Sequence, residues 1–196
     1  MGCLLSLSVA LVLLQSSEEI NAYNLLQPQK VKQIYWQETK TTEVIVNLLP
    51  EGPKGEKSLV RLIFQAFIPG REAKGSPARI FVRAMPLPLT VGNPFAISSG
   101  GVALVPPSRL RLASDGVTVD LGPEGSQRLI DSCGGKPCPY GIEVEIKPAV
   151  VRALVLGGSV EGTALGFPIK LSKADQAALF EFADRIGLIS RNGRGE

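Results

Sequence analysis

Residues 58–68 alternate apolar and polar positions more cleanly than any other stretch of the chain. Val60, Leu62, Phe64 and Ala66 fall on one phase, with Arg61 and Gln65 on the other. A period of two is that of a β-strand with one face on a core. The same period recurs over residues 79–85, where Ile80, Val82 and Ala84 alternate with Arg79, Phe81 and Arg83, and over 142–146, which reads Ile-Glu-Val-Glu-Ile. Residues 34–38 and 43–48 predict a hairpin across a polar turn at 38–42, the second strand rich in β-branched side chains. Shorter strands are expected over 101–105, 109–112, 117–121 and 127–131, with Ser114-Asp115-Gly116 as a tight turn. Residues 50–57 and 69–77 read as loops, and Pro86, Pro88 and Pro94 mark an edge or a long connection, because proline cannot donate into a central ladder.

The pattern changes near the end. Pro148 suits the first turn of a helix, which runs on over 149–156 until Gly157 and Gly158 stop it. A strand follows over 160–171, kinked at Gly162 or Gly166. Ser172 with Asp175 three positions later has the spacing of a capping box, and Leu179, Phe182, Ala183 and Ile186 then keep helical spacing up to Gly187. Residues 188–196 are expected to fray. These elements predict a mainly β fold, a β-sandwich or open barrel of short antiparallel strands, with a short helix and a C-terminal helix.

The N-terminus changes the picture of where the chain works. Residues 4–14 form an apolar run with the length of a signal-peptide core, too short to span a bilayer, and Ala22 with Ile20 two before it offers a cleavage site. The organisation expected is a signal peptide over 1–22, an extended lead-in over 23–33, one β-rich domain over 34–190 and a disordered tail over 191–196. A charged segment ahead of the apolar run is missing. The opening MGCLLS also satisfies a myristoylation pattern at Gly2 and Ser6, with Cys3 open to palmitoylation, but acylated cytosolic chains usually continue into polar sequence. Removal of the leader deletes Glu18 and Glu19, leaving sixteen acidic against twenty-one basic residues and a formal charge of +5. Such a mild excess, without a dense Lys/Arg run, argues against nucleic acid as a partner.

Two cysteines would remain after cleavage, an even number suited to a periplasmic or secreted setting. Cys133 and Cys138 have Gly134, Gly135 and Pro137 between them, so the chain can turn back and bring the sulfurs to bonding distance. A structural disulfide is expected. A redox pair is the weaker reading, because four residues separate the cysteines instead of two and Lys136 is the one cation beside them.

The order of the later pieces resembles the invasion-associated locus B family of bacterial exported proteins. The carrying residues are Gly100-Gly101-Val102-Ala103-Leu104-Val105-Pro106-Pro107, then Arg109-Leu110-Arg111-Leu112 and Asp115-Gly116, the pair Cys133 and Cys138, residues 150–158, Pro168-Ile169-Lys170-Leu171, and Ala177-Ala178. The likeness covers about the C-terminal half, with Trp36 matching an early tryptophan. Departures are Pro137 ahead of the second cysteine, where the family has glycine, Lys173-Ala174 where it has Gly-Phe, and the absence of an earlier cysteine pair. The resemblance implies a periplasmic or surface β-sandwich linked with host-cell invasion, and carries over no catalytic residues.

The chain contains no histidine, which removes Ser-His-Asp and Cys-His catalysis and the usual zinc sites together. No cofactor or metal is expected. Residues 52–58 resemble a phosphate loop only briefly, since Glu56 separates glycine from lysine, Pro53 removes a cradle N–H, and a strand follows instead of a helix. Gly158-Ser159 lacks the second glycine of a nucleophile elbow. Asp115, Asp120 and Asp131 are scattered and could pair as carboxylates only through tertiary structure, turn or solvent roles being commoner, and for calcium they lack EF-hand spacing. The remaining hint is that Arg61, Arg79, Arg83, Arg109 and Arg111 occupy the polar phases of predicted strands. If those strands are neighbours, their guanidinium forks form a face for an anionic glycan, a lipid headgroup or an acidic partner. The function expected is therefore that of an exported, non-enzymatic envelope or periplasmic protein acting by interaction. The alternative is a histidine-independent hydrolase or transferase that uses paired carboxylates.

Overall fold

The computed structural model describes residues 28–52, 54–72, 76–87, 109–119, 121, 128–130 and 141–190. Strands β1 (Val31–Trp36), β2 (Thr41–Leu48), β3 (Val60–Pro69) and β4 (Arg79–Pro86) form an antiparallel meander. Strands β7 (Arg128–Ile130) and β8 (Gly141–Glu145) extend it into a six-stranded sheet of order β1-β2-β3-β4-β8-β7. A four-stranded sheet of order β10-β9-β5-β6 is built from β5 (Arg111–Ser114), β6 (Val117–Val119), β9 (Val160–Ala164) and β10 (Phe167–Lys170). Helix α1 (Pro148–Leu156) and helix α2 (Lys173–Arg185) complete a mainly β architecture of two antiparallel sheets, neither closed into a barrel. The expected strand at 101–105 and the pair Cys133 and Cys138 lie outside the described residues.

One continuous core joins the layers. The phase Val60, Leu62, Phe64, Ala66 and Ile68 of β3 is fully buried, and so are the matching phases of β2, β4 and β8. Against this face lie Leu179, Phe182 and Ala183 of α2, Val151 and Leu154 of α1, and Leu112, Val160 and Ile169 of the small sheet. The rings of Phe64 and Phe182 meet at 6.1 Å between centroids, tilted by 59°. Each such side chain contributes roughly 2–3 kcal/mol by leaving water. The sheets are also tied through the backbone, since Glu51 forms isolated bridges to Lys57 and to Lys170, exchanging bonds of 2.7 and 2.8 Å with the latter.

The strand expected over 160–171 is a hairpin instead. Leu165 and Gly166 both have positive φ, 52° and 81°, which matches a tight turn to the twist of β9 and β10. Gly162 marks a close approach, because a Cβ built there falls 2.0 Å from the carbonyl oxygen of Arg111 on β5. The other tight turn is as expected: Asp115 and Gly116 have φ of 51° and 78° between β5 and β6. At the start of the domain, β1 begins at Val31, within the expected lead-in, because Val31 pairs with Val46. At the end, Leu188 and Ile189 do not splay away but pack half-buried on the core, with the Leu188 N–H bonded to the Ala183 carbonyl at 2.9 Å.

Candidate functional site

The outer face of the six-stranded sheet carries the polar phases of β2, β3, β4 and β8. The register places Arg61 opposite Met85, Ile63 opposite Arg83, Gln65 opposite Phe81, and Arg83 opposite Glu143. Arg61, Arg79 and Arg83 therefore share one face, which the register of β3 with β4 decides. Arg109 and Arg111 do not join them. They are exposed at β5 of the small sheet, where Leu112 takes the core phase and Arg111 the opposite one.

Two of the three clustered arginines are engaged by carboxylates of β8. Arg83 pairs directly across the ladder with Glu143, whose side chain is 5% exposed against 23% for the arginine. Arg79 holds Glu145 with a fork, Nη2 at 2.8 Å and Nε at 3.3 Å from both oxygens, and its guanidinium lies 4.6 Å above the Phe81 ring. Arg79 holds the Glu145 carboxyl below its ordinary range by hydrogen bonding and charge, and the same bond raises the Arg79 guanidinium. These charges neutralise each other along the sheet.

Arg61 is different. Its Nε is buried and has no hydrogen-bond partner among the described residues. Burial lowers its pKa from the ordinary arginine value. Met85, directly opposite it across the ladder, packs on the small cluster of Ile45 and Ile63, each 2% exposed. The Met85 thioether lies over Gly141, where an added Cβ would fall 2.2 Å from its sulfur.

Toward β1 the face becomes a buried polar network. Glu43 accepts from the Trp36 indole Nε1–H at 2.7 Å and from the Gln65 amide at 2.5 Å. Gln65 and Glu43 are only 2% and 4% exposed. This phase is thus not the solvated face that alternation alone predicts. Sequence periodicity identified the face but not the pairing, because the partners Glu43 and Glu143 lie on other strands and only register brings them together.

The other carboxylates weighed from sequence have structural positions. Asp115 accepts the Gly158 and Ser159 N–H groups at 2.8 Å each, and these backbone bonds depress its carboxyl. Ser114 Oγ–H donates to the Ala153 carbonyl at 3.0 Å, in the last turn of α1. Gly157 leaves room for this contact, since a Cβ there would sit 1.7 Å from that hydroxyl oxygen. Asp120 and Asp131 lie outside the described residues. The Gly158-Ser159 step is therefore the receptor for a turn carboxylate, which accounts for its glycine.

Comparison with protein-family models, with curated proteins and with solved structures found no match.

Proposed function

We propose that the protein is exported and acts by interaction in the periplasm or outside the cell, without catalysing a reaction. The observation that carries this reading is the apolar run over 4–14 followed by Ala22, together with a cysteine pair that an oxidising compartment would close. The resemblance to the invasion-associated locus B family favours the same compartment and a role linked with host-cell contact. The outer-face geometry fits recognition better than turnover. Paired-carboxylate chemistry needs two carboxylates facing a common space, whereas Glu43, Glu143 and Glu145 are each held by a donor on a neighbouring strand.

Mass spectrometry of the native protein tests the export step: the expected mature chain starts after Ala22, and a myristoylated Gly2 sinks the reading. Thiol titration of the folded native protein is expected to find Cys133 and Cys138 unreactive. Two free thiols would remove the disulfide from the proposal.

A further inference from the structure

The turn between β5 and β6 joins a reactive dipeptide to a specific restraint. Asp115 is followed by Gly116, both are exposed, and their φ angles of 51° and 78° are those of a tight hairpin turn. An Asp-Gly step is open to attack by its own backbone, because glycine has no Cβ to shield the amide nitrogen that follows the aspartate. The Gly116 nitrogen adds to the side-chain carboxyl carbon of Asp115, a C–N bond forms, and water leaves to give a five-membered succinimide. Water then reopens the ring at either carbonyl. One opening restores aspartate, and the other gives isoaspartate, in which the main chain runs through the former side chain. No oxidant, reductant or second substrate is consumed.

In the folded chain both oxygens of this carboxylate are pinned. Oδ2 accepts the Gly158 N–H and Oδ1 the Ser159 N–H, each at 2.8 Å, and the Asp115 N–H donates to the Ser159 carbonyl at 2.9 Å. Swinging the carboxyl carbon onto the Gly116 nitrogen therefore requires the clamp to open. We propose that Asp115–Gly116 is a site of spontaneous isoaspartate formation, held off in the folded domain by the Gly158 and Ser159 amides and released when this turn opens locally. The clamp acts twice, since its bonds favour the charged carboxylate whereas ring closure proceeds from the neutral acid, which has a better leaving group. Gly158 belongs to the clamp through its missing side chain as well, because a Cβ there would fall 3.2 Å from Oδ1. Isoaspartate lengthens the main chain by one carbon between Ser114 and Val117, which face each other across the hairpin, so the modified turn no longer matches the two amides. A molecule that has opened here then carries a covalent mark of it. This site is independent of the interaction role proposed above.

The test incubates the purified full chain at mildly acidic pH, once folded and once unfolded in urea, and follows isoaspartate over time. Enzymatic carboxyl methylation counts the isoaspartate, and electron-transfer fragmentation of the peptide containing residue 115 locates it. Isoaspartate at position 115 is expected to accumulate in urea and about tenfold more slowly in the folded chain, where the carboxylate must first give up a charge-assisted bond by local opening. Ser159→Pro deletes one of the two donors and keeps the Ser159 position's carbonyl. Under conditions where circular dichroism shows it folded, its rate is expected to move toward that of the urea-unfolded chain. Gly158→Ala, which crowds the carboxylate out of the clamp, makes the same comparison if the proline variant does not fold. The proposal is overturned if the folded and unfolded chains react equally fast, if no isoaspartate appears at position 115 in urea, or if the folded clamp variant reacts as slowly as the unaltered protein.

Discussion

The carboxylate of Asp175 accepts a hydrogen bond from the backbone N–H of Leu49 at 3.1 Å, across 126 positions of sequence. The same oxygen takes the Gln29 amide at 3.2 Å, and the other oxygen takes the Ser172 N–H and hydroxyl. Ser172 Oγ in return accepts the Asp175 N–H at 3.1 Å. A helix cap thus also fastens the start of β1 and the end of β2 to α2. Asp175 is fully buried. Asp175→Ala is expected to cost about 3 kcal/mol, because several half-buried donors lose a fully buried acceptor. Asp175→Asn keeps one acceptor but turns an NH₂ group toward donors, and should cost about 2 kcal/mol. Urea unfolding measures both, and a loss no larger than that of an ordinary exposed cap would refute the fastening role.

Gly162 sits within β9 where the chain cannot carry a side chain. Its virtual Cβ overlaps the Arg111 carbonyl, a backbone atom that cannot swing aside. Gly162→Ala should therefore lower stability by about 3 kcal/mol, although alanine is normally no worse than glycine in a strand. Gly166→Asn is the control, since Asn tolerates the positive φ of that turn and nothing lies within 4 Å of the added Cβ. Equal thermal midpoints for the two variants would contradict the close approach.

Asp115 gives the acid limb a direction. Its folded-state pKa lies below the ordinary value because the Gly158 and Ser159 N–H groups bind the charged form. The unfolded chain then takes up a proton first as the pH falls, so the contribution is complete above the ordinary carboxylate value. It is lost as the pH drops through the depressed folded value. Asp115→Asn keeps the positive φ within reach and should show a shallower fall of thermal midpoint with acid than the unaltered protein. Superimposable acid limbs would rule the contact out.

Trp36 is the single tryptophan, so its emission reports one bond. A negative charge at the pyrrole edge of an indole stabilises its excited state, and Glu43 holds that position at 2.7 Å from Nε1. Glu43→Gln should shift the emission to the blue. Glu43→Leu leaves both the indole N–H and the Gln65 amide without their acceptor and should destabilise the fold by about 2–3 kcal/mol. An emission spectrum unchanged in Glu43→Gln would place the indole elsewhere.

Much of this was legible from local pattern. The core phases of β3, β4 and β8 follow from alternation, and the Ser172–Asp175 cap follows from spacing, because each is a property of a few adjacent residues. The β9–β10 turn was not legible, since Leu165 is a branched apolar residue in the left-handed region and gives no turn signal. The arginines show the same limit. Phase put Arg79 and Arg83 on one face, but the register of β3 with β4 adds Arg61 to it and leaves Arg109 and Arg111 out, and that of β4 with β8 brings Glu145 and Glu143 to Arg79 and Arg83. That register belongs to the assembled sheet and not to any window of sequence.

The bridge from Glu51 to Lys170 sets an order of events. Glu51 follows β2, and Lys170 ends β10, so the backbone after the β1–β2 hairpin stays open at this edge until residue 170 has been synthesised. The half-buried donors at Gln29 and Leu49 likewise lack their Asp175 acceptor until α2 is made. Contacts this distant delay the closure of a core, because the entropy of ordering the intervening chain must be overcome before they form. This edge of the nascent core therefore stays open until α2 is made.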